Sequence, residues 1–191
     1  MLEALGIAAL IAAALFGAWW AKRAVRLGPK AQQQVRNGAW STSMLAGSTA
    51  ADALTRAKVA IYGILALDPK EAIYYVAGTD DDGLPLSADL EYEVRGGPLP
   101  GRWWSVTAYD KDNFLIPNEG HRYAYSSQSI AYEPDGGFVI RLGNRPRNGN
   151  WLPTGEGHFR LTLRLYNAPE SVRNDRTSIA LPRIVSVAAK A

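Results

Sequence analysis

The sequence predicts a mainly β protein: an antiparallel β-sandwich or jelly-roll-like domain with one packed α-helix, preceded by a single N-terminal transmembrane helix. Three observations predict it. The chain carries no charge from Ala4 to Ala21. Beyond Pro69 the apolar residues recur with a period of two, as on a strand with one buried face. These runs are short and separated by Gly, Pro, Asn and Asp, without the intervening helices that parallel crossovers require.

A helix over 4–21 rises about 27 Å, enough to cross a thin hydrocarbon core. Trp19 and Trp20, followed by Lys22, Arg23 and Arg26, suit a helix end at the headgroup level. The alternatives are a helix buried in a soluble core and a cleaved signal peptide. Cleavage fits less well, because Met1-Leu2-Glu3 is not a basic start and bulky Trp19-Trp20 stand where small residues are cut. The cations after the helix favour a cytoplasmic domain by the positive-inside rule. A single-pass anchor in the inner membrane also suits an envelope protein held on the periplasmic side.

Residues 22–48 read as a juxtamembrane linker, polar and mixed, docked by Trp40. Residues 49–170 form the β-sandwich domain, opening with a helix. Thr49 is its expected N-cap, Asp52 lies in its first turn, and Leu54, Ala57, Ile61, Ile64 and Leu65 form a stripe expected to pack against a sheet. Asp68-Pro69 ends it, since the residue before proline avoids the helical region. Strands are predicted at Glu71 to Thr79, Asp89 to Arg95, Trp103 to Tyr109, Tyr123 to Ser127, Ile130 to Glu133, Phe138 to Leu142 and Phe159 to Tyr166. In the second, Leu90, Tyr92 and Val94 share the inner face; in the last, Phe159, Leu161, Leu163 and Leu165 face in while Arg160, Thr162, Arg164 and Tyr166 face out. Residues 171–191 read as an irregular tail in which Ile184 to Val187 is a candidate edge strand.

Lys and Arg number 21 against 18 Asp and Glu, a net charge of +3. Much of the excess is juxtamembrane, at Lys22, Arg23, Arg26 and Lys30, and suits anionic lipid rather than nucleic acid, for which no basic helix or aromatic RNA-binding motif is present. With no Cys there is no disulfide, thiolate nucleophile or Cys-ligated zinc. No glycine-rich phosphate loop opens a helix, so no cofactor is expected. Asp80-Asp81-Asp82 and Asp110-Lys111-Asp112-Asn113 offer oxygen ligands but lack EF-hand spacing, and turn formation accounts for both; no metal site is expected.

Arg102-Trp103-Trp104-Ser105-Val106-Thr107-Ala108-Tyr109-Asp110 resembles a bacterial family, domain of unknown function 1214 (DUF1214). The resemblance runs on through Asn113-Phe114-Leu115-Ile116-Pro117-Asn118, Arg122-Tyr123, Asn150-Trp151-Leu152-Pro153 and Leu161-Thr162-Leu163-Arg164-Leu165-Tyr166. It covers roughly Glu71 to Pro169. It implies a sandwich or jelly-roll-like fold and no settled activity. The family often carries a companion domain numbered 1254, which this shorter chain is expected to lack.

The candidate ligand-binding residues are Trp103, Tyr109, Asn118, Arg122, Tyr123, Asn150, Trp151 and Arg164. Alternation puts Trp103 and Tyr109 on one face and Trp104 on the other, so one tryptophan is core and the other available. Were Trp103 and Trp151 to share an open face, they would make a stacking platform for a carbohydrate-like or small anionic ligand. The competing use is structural: tryptophans as core anchors, Asn118 and Asn150 as turn residues, and Arg164 in an intramolecular ion pair. A catalytic set would draw on Asp110, Asp112 and His121, or on His158 with Ser126, Ser127 or Ser129, for a membrane-bound hydrolase of a glycan or ester. No Gly-x-Ser-x-Gly elbow supports it. The sequence thus points to a non-catalytic binding or assembly module at the cell envelope, with pairing of sheet edges into a homo-oligomer as a further use.

Overall fold

The structure, a computed structural model, describes residues 2–27, 34–62 and 66–187. Helix α1 (Leu2–Leu27) runs beyond the predicted end at Ala21, because Lys22-Arg23-Ala24-Val25-Arg26-Leu27 contains no breaker before Gly28-Pro29. Within it, 22 residues from Ala4 to Val25 have a mean hydropathy of 1.9, long and apolar enough to cross a membrane; the same length and position fit a signal sequence.

Ten strands follow: β1 (Gln34–Asn37), β2 (Trp40–Ser43), β3 (Ala72–Ala77), β4 (Glu91–Gly96), β5 (Trp103–Asp110), β6 (Ala124–Ser126), β7 (Phe138–Leu142), β8 (Asn150–Leu152), β9 (Phe159–Tyr166) and β10 (Arg183–Val187). Two helices complete the described residues, α2 (Ala53–Tyr62) between β2 and β3 and α3 (Glu170–Asn174) after β9. Six strands form an antiparallel sheet in the order β1-β2-β3-β9-β5-β6, and four form a second in the order β10-β4-β7-β8. One cluster of buried side chains draws on both sheets, with Ile73, Val106, Leu161 and Leu163 from the first and Tyr92, Ile140, Leu152 and Ile184 from the second. Trp104 stacks on Phe138 at 4.7 Å and Tyr92 meets Phe159 edge-on at 5.8 Å, so aromatic contacts join the layers.

The predicted strands β7 and β9 have the expected bounds, and β3, β5 and β6 differ from them only at their ends. Larger differences have local causes. The stretch read as a linker contains the β1–β2 hairpin, whose tight turn places Gly38 at φ +62 in its first central position, the geometry that matches strand twist. Trp40 is buried and donates from Nε1 to the Pro182 carbonyl at 2.6 Å. Asn37 Nδ2 donates to Ile179 O and the Tyr75 hydroxyl to Arg176 O, fastening the segment 175–182 along the hairpin. Leu90 is exposed rather than inward, because Ser87, bonded to Asp89 and Leu90 N–H, turns the chain before β4 begins. Ile130 to Glu133 is not a strand: the Asn150 side-chain amide takes both the N–H and the carbonyl of Ala131 at 2.8 Å. Strand β8 was not anticipated, and it pairs parallel to β7. Its three residues need a return of only roughly 8 Å, which the loop 143–149 spans without a helix.

Helix α2 is capped by Asp52, whose Oδ1 accepts the Thr55 N–H at 2.7 Å, whereas Thr49 lies inside the preceding turn, which runs from Ser48 to Ala51. Hydrogen bonding from Thr55 holds the Asp52 carboxyl below its ordinary range. Leu54 and Ala57 are half-buried, Ile61 is exposed, and none joins the core; Ile64 and Leu65 of the predicted stripe lie outside the described residues. The excursion carrying α2 is closed at its base by Gly47, at φ +78, where a Cβ would stand 1.9 Å from the Leu67 carbonyl oxygen.

Leu163 pairs with Tyr75 on one side and Val106 on the other and is wholly buried. Leu163→Ala is expected to lower the unfolding free energy by about 3 kcal/mol, while Thr162→Ala, facing outward beside it, changes it by less than about 1 kcal/mol. Urea titrations of the two variants check the difference.

Candidate functional site

The outer face of the six-stranded sheet is set by register. Arg164 of β9 lies between Tyr74 of β3 and Ser105 of β5, and the adjoining outward pair of the β9–β5 ladder is Tyr166 with Trp103. Two residues the other way, Thr162 pairs with Thr107, and then Arg160 with Tyr109. Arg164 donates to the Thr107 hydroxyl at 3.1 Å and to the Tyr109 hydroxyl at 2.8 Å. Its guanidinium carbon lies 5.6 Å from the Tyr109 ring centre and 5.9 Å from that of Tyr74. Trp103 and Tyr166 meet edge-on at 5.0 Å. Arg164 is thus only half-buried, flanked by two rings, and among the described residues it belongs to no ion pair. The expected carboxylate partner is not found among the described residues. Three guanidinium N–H groups beyond the two engaged ones remain to be served.

A family profile described as "Protein of unknown function (DUF1214)" matches residues 71–170, just over half of the chain and all of this face except its β1–β2 margin. The chain belongs to this family. The crystal structure of the VPA0106 protein from Vibrio parahaemolyticus is similar, with a TM-score of 0.60 at 24% identity, over 72% of this chain and 36% of that one. A putative uncharacterized protein from Burkholderia cenocepacia is more distant, with a TM-score of 0.42 at 20% identity, over 63% and 31% of the two chains. The first likeness shows a shared fold, and this chain spans about a third of the length of both. No curated protein matches.

In this DUF1214 domain the eight candidate residues separate into different places. Trp103, Tyr109 and Arg164 share the outer face of the six-stranded sheet; Tyr74, Tyr166 and Thr107 join them and were not singled out from the sequence, although the outward alternation of β9 already carried Tyr166. Trp151 pairs with Arg141 on the other sheet, donating from Nε1 to Gly143 O at 2.8 Å, so the two tryptophans do not form one platform. Asn150 is buried and occupied by backbone. Asn118 clamps its loop, accepting the Arg122 N–H at 2.9 Å and donating to Ile116 O and Arg122 O. Arg122 donates to the Tyr125 hydroxyl at 2.6 Å and sits over its ring. Tyr123 is paired with His121 at 3.3 Å.

The catalytic candidates do not converge. Asp110 Oδ1 accepts the N–H groups of Asp112 and Phe114, Asp112 pairs with Lys111, and no hydrogen bond or ion pair among the described residues joins either to His121. Ser126 and Ser129 bond each other and their own turn. Among the described residues no three acidic or imidazole groups are placed to hold a metal ion. A depression of about 580 Å³ lies on the four-stranded sheet, where Glu93 is already shared by Arg95 and Arg141. Arg147 likewise pairs with Glu91 and holds that carboxyl below its ordinary range.

A second guanidinium is enclosed altogether. Arg176 is 4% exposed; one terminal nitrogen reaches the Thr42 hydroxyl at 3.3 Å and Ser43 O at 3.4 Å, while Nε has no hydrogen-bond partner among the described residues. Burial lowers the pKa of Arg176 and raises that of the neighbouring Tyr75 hydroxyl to about 12. Unfolded tyrosine ionises near pH 10, so the folded state holds this proton more tightly, and the stability it confers is complete below about pH 10 and lost as pH climbs toward 12. The unfolding free energy is therefore expected to fall over that window, less steeply in Tyr75→Phe than in the parent; equal slopes in alkaline urea titrations would show that Tyr75 does not carry it.

Proposed function

We propose that the protein is a membrane-anchored, non-catalytic binding module of the cell envelope, tethered through α1 and taking a carbohydrate-like or anionic ligand on the outer face of its six-stranded sheet. The observation that carries this reading is Arg164, a half-buried guanidinium without a carboxylate, between two tyrosine rings and one outward register from the Trp103–Tyr166 pair. Successive outward residues on a strand are about 6.7 Å apart, so a pyranose ring lying on the aromatic pair brings an acidic substituent over the guanidinium. Aromatic faces suit the apolar face of a sugar, and the planar fork of arginine suits a carboxylate or phosphate. The chemistry of a hydrolase has no comparable support, since among the described residues the candidates Asp110, Asp112 and His121 are not joined by any hydrogen bond or ion pair.

Titration of the full chain in detergent micelles with uronic-acid oligosaccharides, their neutral counterparts and inorganic phosphate, followed by tryptophan fluorescence, tests it. A saturable response to the acidic ligands is expected, weakened about tenfold or more in Arg164→Gln, a loss of roughly 1.4 kcal/mol or more. Silence toward every member of the panel, or a response indifferent to the substitution, removes this face from consideration.

A further inference from the structure

Helix α2 is the one long element of the described globular part that the sandwich core does not absorb. Leu54, Ala57 and Val59 are half-buried, and Ile61 is 59% exposed. Its helical neighbour is α1, with which it is in contact. The side chains of α1 from Ala4 to Arg23 are all exposed, and Ala24 and Val25 are part-buried, so the contact falls at the C-terminal end of the apolar helix. Trp19 and Trp20 stand where a span meets the headgroups, and Ala24 and Val25 lie about 6 to 8 Å farther along the axis, within the headgroup layer.

Topology brings the same elements together. Gln34 pairs with Ser43, so β1 begins at the end of the sheet where β2 finishes and the excursion to α2 departs. The chain from Leu27 to Gln34 reaches at most about 25 Å, which keeps that end near the close of α1. Both signs of charge are found at this end: Lys22 and Arg23 on α1 and Arg56 on α2, with Asp52 at the cap of α2 and Asp68 and Glu71 just before β3; Arg56 bonds only carbonyls, those of Ala51 and Thr49, among the hydrogen bonds described. Asp81, Asp82 and Glu156 occupy turns at the other end, beyond the close of β3 and before the start of β9.

We infer that α2 lies in the membrane interface as an amphipathic helix, inserting Ile61 among the lipid headgroups of an anionic bilayer with Arg56 at the phosphate level, and so holds the sandwich upright with the turns of Asp81, Asp82 and Glu156 away from the lipid. This rests on α1 serving as the anchor. A helix this short has little bilayer affinity of its own, but α1 confines it to the surface, where its effective concentration is high.

The chain contains no cysteine, so single labelling sites can be introduced. An environment-sensitive fluorophore at Ile61→Cys, or at exposed Ala60→Cys as a second position, is compared with one at Asp82→Cys in the full chain. The chains are reconstituted into phosphatidylcholine vesicles containing phosphatidylglycerol. Lipids brominated near the headgroup end of the acyl chain are expected to quench the α2 probes by about twofold or more and to leave the Asp82 probe unquenched. If the unlabelled chain does not float with the vesicles, the anchoring reading fails and this inference with it. If it floats while both α2 probes remain unquenched, α2 is not interfacial, whatever α1 does. Disulfide pairing between Ile61→Cys chains without quenching places a second copy on this face and overturns the inference as well.

Discussion

The structure depends on β9. Hydrogen bonds from β3 on one side and β5 on the other run along it, so the other five strands of the six-stranded sheet are built outward from its position. Its alternation is complete: Phe159, Leu161, Leu163 and Leu165 are buried, while Arg160, Thr162, Arg164 and Tyr166 are partly exposed. A shift by one residue would put arginines into the core and leucines into water, a penalty large enough to exclude it. The same constraint that fills the core therefore places Arg164 at the centre of the opposite face.

The two sheets treat charge differently. On the four-stranded sheet Glu91 and Glu93 are matched by Arg147, Arg95 and Arg141, and Asp81 by Arg183, so arginine there is largely neutralised within the protein. On the six-stranded sheet Arg164 is held by hydroxyl groups and aromatic rings, which orient a guanidinium without cancelling its charge. Arg176 is held by a hydroxyl and a carbonyl under the β1–β2 edge, where the segment from Asp175 to Pro182 closes over it. Orientation without neutralisation leaves a field directed outward at Arg164, and at Arg176 a desolvation cost that the surrounding hydrogen bonds only partly offset.

What could be read from the sequence was what alternation and breakers encode. Strand β9 declares itself by strict alternation and β7 by a short apolar run after Gly136-Gly137, and the separation of Trp103 from Trp104 follows from the same period of two. The β1–β2 hairpin is not legible locally because each strand is only four residues long with three of the four polar, so its burial comes from Trp40 and from a C-terminal segment invisible to any local window. β8 was missed for a related reason: three residues have no period, and Asn150 was available equally to a turn or to the side-chain bridge that replaces pairing at Ala131. The division of the candidate residues between two faces required the pairing of distant strands. Strand parity tells which residues share a side of one strand, but not that β8 and β5 belong to different sheets.

The fastening of the hairpin has a consequence for how the molecule is made. Trp40 and the Pro182 carbonyl that receives its N–H are 142 residues apart, as are Asn37 and Ile179. During synthesis the first hairpin emerges well before its closing segment exists, with the Trp40 indole still unburied. The sandwich can be completed only after Pro182 has left the ribosome, so completion is late and governed by long-range closure. A helix apolar enough to enter a bilayer emerges before the hairpin, and a nascent chain held there would wait, tethered beside the membrane, with an unfinished sheet edge kept apart from other unfinished copies.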